Sequence, residues 1–237
     1  MKSSPPIRSR LALLSALVAT ALSVAETTPT GRNPQQEFLD KLVTAAIERT
    51  NHSVKYVSTY VPLGYPGGDV PADTGVCSDE IIRAYRAVGV DLQKEVHEDM
   101  AKNWPEYPAK SKWHQEHPDP SIDHRRVPNL MVFFSRKGES LPISSRAEDY
   151  SPGDVVTWDL GGDVPHIGML VNVKSKESGR LLAVHNIGRG PKMEDVLFRW
   201  KVTGHYRYFG PPAGSPPVLQ PEGIEAPRQV SGLDMTM

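Results

Sequence analysis

Cysteine is nearly absent from this chain of 237 residues, where Cys77 is the single one. That count excludes an internal disulfide, and with it the stapled scaffolds of small secreted domains. An excess of one charge is missing too: 27 Lys and Arg stand against 28 Asp and Glu, with no basic stripe. Nucleic-acid binding therefore has no electrostatic support. After the first 25 residues no apolar run is long enough to cross a membrane. No internal repeat is visible either, so solenoids and propellers drop out.

What is present begins with an export pattern. Lys2, Arg8 and Arg10 flank an apolar stretch at 11–24 (LALLSALVATALSV), and Ser23-Val24-Ala25 supplies small residues for cleavage. The stretch is too short for a membrane anchor and reads as a signal peptide over 1–25, with the mature chain starting near Glu26. Cleavage would move the formal net charge from −1 to −4, because three basic residues leave and no acid does. No cysteine follows the stretch to carry a lipid. The expected location is periplasmic or secreted, with no stable membrane insertion after cleavage. An unpaired cysteine there is a buried small hydrophobe, half of an intermolecular bridge, or a nucleophile.

Residues 26–34 are polar and form an expected flexible lead-in. From Pro34 to Arg49, Phe38, Leu39, Leu42, Val43, Ala46 and Ile47 recur at helical spacing. Residues 54–65 read as an extended segment running into the turn Pro66-Gly67-Gly68-Asp69. Helices are predicted over 77–88, with Ile81, Ile82, Tyr85 and Val88 on one side and Gly89 after it, and over 92–104. The polar, Pro-rich stretch 105–128 is predicted to be a surface loop, and an apolar run resumes at 129–137. Short strands are predicted at 154–158, 167–173, 181–187, 196–200 and 205–209. Residues 211–237 form a Pro/Gly-rich tail. Helices first and strands second predict one α+β domain over 35–210, its N-terminal helices packed on an antiparallel sheet.

Two places can carry chemistry. Asp73-Thr74-Gly75-Val76-Cys77-Ser78-Asp79 puts the thiol where a helix starts, and a helix N-terminus lowers a thiol's pKa and leaves backbone N–H groups free for an oxyanion. Asp73, Ser78 and Asp79 serve equally well as caps of that helix. Val164-Pro165-His166-Ile167-Gly168 puts an imidazole at the mouth of an apolar strand, with Gly168 clearing space beside it for the helix end that carries Cys77. The third member, which orients the imidazole, is His185 on the next strand, across the hairpin at 174–180. Asn186 is its alternative, since alternation sends the two to opposite faces.

A cysteine at a helix start, the turn Pro152-Gly153-Asp154, a strand, then His166-Ile167-Gly168 and a strand with a polar third residue resemble the NlpC/p60-type cysteine peptidases. More closely, Gly75-Val76-Cys77-Ser78-Asp79, Asp91-Leu92-Gln93, Asp99-Met100 and His185-Asn186-Ile187-Gly188 are similar to a secreted bacterial family known as a domain of unknown function, DUF1287. The resemblance spans roughly residues 40–210. It implies a papain-like fold, attack on amide bonds of cell-wall peptides, and Cys77, His166 and His185 as the catalytic set. Tyr65-Pro66-Gly67-Gly68 is similar to the relatives' Tyr-x-x-Gly-Gly, which offers Tyr65, besides the Ser78 amide, as an oxyanion helper. The chain departs from the family's Asp-Cys-Ser-Gly at Val76 and Asp79, and the stretch 105–128 has no counterpart.

The expectation is thus an exported cysteine hydrolase of peptide or amide bonds. It needs no cofactor, takes a wall peptide as its partner and acts as a monomer. A thiol acyltransferase is disfavoured because permuted relatives place histidine before cysteine. A catalytically inactive wall-binding module is the other alternative. His114, Glu116, His117, Asp119, Asp123 and His124 could ligate a metal, but Pro118 and Pro120 break the helix that a zinc motif needs.

Overall fold

The computed structural model describes Met1 and residues 33–212; the expected signal peptide, most of the lead-in and the tail lie outside the described residues. α1 (Pro34–Arg49) opens with Asn33, whose Oδ1 accepts the Gln35 N–H at 3.0 Å, and with Pro34, which has no amide to lose. Its buried stripe of Leu39, Leu42, Val43 and Ala46 lies against α2 (Cys77–Ala87), which buries Ile81, Ile82 and Tyr85. Each such side chain withdrawn from water contributes about 1.5–3 kcal/mol. Between them β1 (Lys55–Tyr56) and β2 (Thr74–Gly75) form a two-stranded parallel ladder that pairs Tyr56 with Gly75.

α3 (Leu92–Lys102) is capped by Asp91, which accepts the Gln93 and Gly67 amides at 3.1 and 2.8 Å. The stretch 105–128, predicted to be a solvated loop, is partly core. It holds α4 (Ala109–Trp113) and 3-10 turns, and it buries Tyr107, Ala109, Asp123, His124 and Arg125. The charged members enter because each brings a partner, as with Arg125 on Asp79. α5 (Val127–Lys137) then adds Leu130, Phe133 and Phe134 to an aromatic cluster with Tyr85, Tyr206 and Tyr208.

The sheet has six strands: β3 (Glu139–Ser140), β4 (Val155–Asp159), β5 (Pro165–Lys174), β6 (Leu181–Asn186), β7 (Pro191–Glu194) and β8 (Lys201–Arg207). Their order is β3-β8-β4-β5-β6-β7 and every neighbouring pair is antiparallel. The architecture is therefore mixed α+β with helices on an antiparallel sheet. One sheet face, with Val155, Ile167, Met169, Val171 and Val184, packs on the helices and on Cys77. The other, with Val156, Trp158, Leu170 and Ala183, is covered by Tyr150, Val196 and Leu197. The segment 196–200, predicted to be a strand, is a turn that supplies this cover; the true edge strand is β7 just before it. Among the described residues no helix is long and apolar enough to cross a membrane.

Candidate active site

Cys77 is the first residue of α2, so its sulfur stands where the helix leaves its N–H groups unpaired. Asp79 closes the turn by accepting the Val76 N–H at 2.7 Å, and it is itself gripped by Arg125, with Nε to Oδ1 at 2.8 Å and Nη2 to Oδ2 at 2.9 Å. Gly75 fits here because a Cβ would come within 3.2 Å of Asp79 Cβ and 3.3 Å of Arg83 Nη1. Three donors surround the sulfur: the Ile167 amide, the Ser78 amide and the Tyr56 hydroxyl. Each favours the thiolate, yet burial outweighs them and, with the nearby Asp79 charge, holds the thiol up at about 11. The side chain is 5 % exposed. The resting group is a neutral thiol.

The imidazoles form a relay. His166 Nε2 lies 2.9 Å from His185 Nδ1, and His185 Nε2 lies 3.1 Å from Glu194 Oε2. The last contact is close but off the N–H axis, so Glu194 acts on His185 mainly through its charge. That charge favours the tautomer with a proton on His185 Nε2, in which Nδ1 accepts from His166 Nε2–H. The lone pair of His166 is thereby directed to Nδ1, the nitrogen that makes no hydrogen bond among the described residues. Burial, and secondly the neighbouring His185, push His166 down to about 3, so it is neutral at pH 7. Burial lowers His185 as well, against the pull of Glu194.

Strand alternation explains the pairing. His166 and Gly168 leave β5 on one face and Ile167 and Met169 on the other. His166 rests against Trp158 and Trp200, with ring centroids 5.9 Å away in both cases. Gly168 makes room, but for these groups rather than for the Cys77 helix as expected: a Cβ there would lie 3.0 Å from Trp158 Cζ3 and 3.1 Å from His185 Cβ. The alternation therefore puts His166 and the Ile167 side chain that packs with Cys77 on opposite faces of β5, and, against expectation, no hydrogen bond joins thiol and imidazole among the described residues.

The other candidates fall as follows. Asn186 is turned away from His185; its Oδ1 accepts the Gly188 N–H at 3.0 Å, and its buried Nδ2 has no partner. The Ser78 amide faces the sulfur, whereas its hydroxyl donates to the Arg125 carbonyl at 2.7 Å. Tyr65 is not at the thiol. Gly67 and Gly68 donate to Asp91 and Gln93, which ties that turn to α3 and sets Tyr65 against His97, with centroids 5.0 Å apart. The tyrosine at the sulfur is Tyr56, held there by the β1–β2 ladder; the Cys77 N–H also donates to its oxygen. In the 113–124 stretch Asp123 is occupied by the Gln115 amide and the Asp119 N–H, and no cluster of three metal-ligating side chains forms among the described residues. Tyr56, Glu194 and the Ile167 amide were not found from sequence. Only the alternation Lys192-Met193-Glu194 beside Leu182-Ala183-Val184-His185 carried a signal, once β7 is recognised as a strand.

Comparison with known proteins places this geometry in context. The model of the family described as "Domain of unknown function (DUF1287)" matches residues 43–208. The uncharacterized protein YijF of Escherichia coli (strain K12) is 46 % identical over 199 residues, which cover 84 % of this chain and 96 % of the relative.

Proposed function

The chain belongs to the DUF1287 family, and from the geometry of its site we propose that it is an exported, papain-like cysteine hydrolase of amide bonds in cell-wall stem peptides. The observation that carries the reading is the 2.9 Å contact between His166 and His185, continued to Glu194. The free nitrogen at the end of such a chain is suited to take a proton. The Cys77 sulfur, which accepts the Ile167 amide, is the nucleophile that this reading assigns to it. The wall substrate and the export rest on the likeness to NlpC/p60 enzymes and on the basic-then-apolar N-terminus.

In the proposed reaction His166 Nδ1 removes the Cys77 proton as the sulfur attacks the carbonyl carbon. Because thiol and imidazole both rest neutral, transfer accompanies attack rather than preceding it. Apo hydrogen bonds of this type commonly tighten once substrate is bound. The Tyr56 hydroxyl, oriented by the Cys77 N–H, donates to the oxyanion. His166 then protonates the leaving amine, and water, deprotonated by the same nitrogen, hydrolyses the thioester. His185 and Glu194 steady the transient imidazolium. The buried, protonated thiol favours a second reading, an inactive wall-binding module, and turnover separates the two.

Replacing His185 tests the relay. His185→Ala is expected to lower kcat/KM on muropeptides by about 10²–10³-fold, Glu194→Gln by about tenfold, and Asn186→Ala by less than about twofold. Assays are run where each variant retains its near-UV circular dichroism. A severe loss in Asn186→Ala with His185→Ala near wild type would reassign the orienting position.

A further inference from the structure

Behind the histidine relay lies a cavity of about 290 Å³, lined by His185, Arg189, Lys192, Glu194, Arg199 and Trp200 among others. The cross-strand register builds it: His185 faces Lys192 and Ala183 faces Glu194, so one face of the β6–β7 edge presents an imidazole, an ammonium and a carboxylate together. Arg199 arrives from the turn after β7, its guanidinium 5.1 Å from the Trp200 ring centroid, and this stacking limits where the charge can go. Arg189 comes from the β6–β7 connection.

The charge pattern here differs from that around most other arginines of the described residues. Arg49, Arg83, Arg86, Arg125, Arg136 and Arg180 each hold a carboxylate. The side chains of Arg189, Lys192 and Arg199 make no hydrogen bond or ion pair among the described residues. The one acid in the cavity wall, Glu194, is already committed to His185 at 3.1 Å. Three cations around a concave space with one occupied anion leave a local excess that a ligand carboxylate would relieve, through charge-assisted bonds that arginine makes bidentately. The volume sits at the lower end of small-ligand pockets. Trp200 and the exposed Ile187 add apolar wall beside the cations, which suits a short side chain ending in a carboxylate better than a bare inorganic anion.

We propose that this cavity is a subsite for a carboxylate-bearing peptide, held by Arg189, Lys192 and Arg199 and flanked by Trp200. It rests on the hydrolase reading only in making that peptide a substrate; the binding site stands on the cavity itself. Bound there, the carboxylate would fix the peptide next to the relay that serves Cys77.

The test uses full-length Cys77→Ala protein, so that nothing is turned over, and two probes, N-acetyl-alanyl-glutamate and N-acetyl-alanyl-glutamine, both with C-terminal amides so that the glutamate side chain is the one carboxylate, titrated calorimetrically. The acidic peptide is expected to bind at least about tenfold more tightly, with an advantage that shrinks as salt rises. A Lys192→Gln/Arg199→Gln double variant is expected to erase that advantage; both positions are exposed, and near-UV circular dichroism verifies the fold. Equal affinity for the two peptides, no binding of either at millimolar concentration, or an advantage intact in the double variant would overturn the proposal. Inorganic phosphate that displaces the acidic peptide at equal concentration would overturn the peptide assignment. None of these outcomes depends on catalysis, so the hydrolase reading fails or stands separately, on turnover.

Discussion

Cys77→Ala is expected to reduce cleavage of wall fragments by at least about 10³–10⁴-fold while leaving the protein folded. The sulfur is the only atom of the site with an exchangeable proton, a strong nucleophilic form and three donors directed at it: the Ile167 amide, the Ser78 amide and the Tyr56 hydroxyl. Removing it leaves those donors in place, so residual rate comes from binding and oxyanion stabilisation alone. The folding cost is small. Cys77 is a buried member of the core that also holds Ile167, and deleting one sulfur there leaves a small cavity that costs about 1 kcal/mol. Products are read by mass spectrometry of digested peptidoglycan. Cleavage in the variant at the wild-type rate would remove the cysteine from the mechanism, whereas no cleavage by either protein would leave the wall-binding reading.

The largest stability effect is expected at a residue with no chemical role, Arg125. Its side chain and that of Asp79 are 3 % and 2 % exposed, and their paired contacts at 2.8 and 2.9 Å leave the carboxylate no other cation. Arg125→Ala strands Asp79 in the interior, which costs about 3–5 kcal/mol. The urea midpoint should fall accordingly. Arg125→Lys should recover only part of it, since an ammonium cannot span both oxygens. The activity of whatever remains folded should fall as well. Asp79 holds the Val76 N–H at the start of α2, and its charge already opposes ionisation of Cys77; without the guanidinium that opposition grows. A midpoint within error of wild type would mean that solvent or a rearranged neighbour replaces the pair.

How far the sequence alone could reach depended on which force decided each element. α1 and α2 were legible because burial of one stripe sets their pattern, and β4, β5 and β6 because both faces of their strands are covered and their runs are apolar. Alternation showed only that His185 and Asn186 exclude each other; it is the folded strand that turns His185 to His166. β7 was hidden: Pro191, Lys192 and Glu194 are poor strand formers, and they pair only at a sheet edge, where proline's missing N–H costs nothing. The apolar run at 196–200 looked more strand-like, yet it turns back to cover Trp158 and Leu170. Missing β7 meant missing Glu194. In 105–128, charge density pointed to solvent, but Arg125 and Asp123 are buried by partners distant in the chain. Tyr65 was chosen on spacing to two glycines, which the folded chain spends on α3; Tyr56 reaches the thiol through the β1–β2 ladder, a tertiary fact with no local signature.

In the proposed mechanism a thiol and an imidazole work as one unit although no hydrogen bond links them at rest. The most direct measurement is the labelling rate of Cys77 by a peptidyl acyloxymethyl ketone, followed by intact mass, in wild type and in His166→Ala. One equivalent on Cys77 in the wild type, and a rate at least about 10²-fold lower without the imidazole, is the predicted result. Equal rates in the two proteins would contradict it.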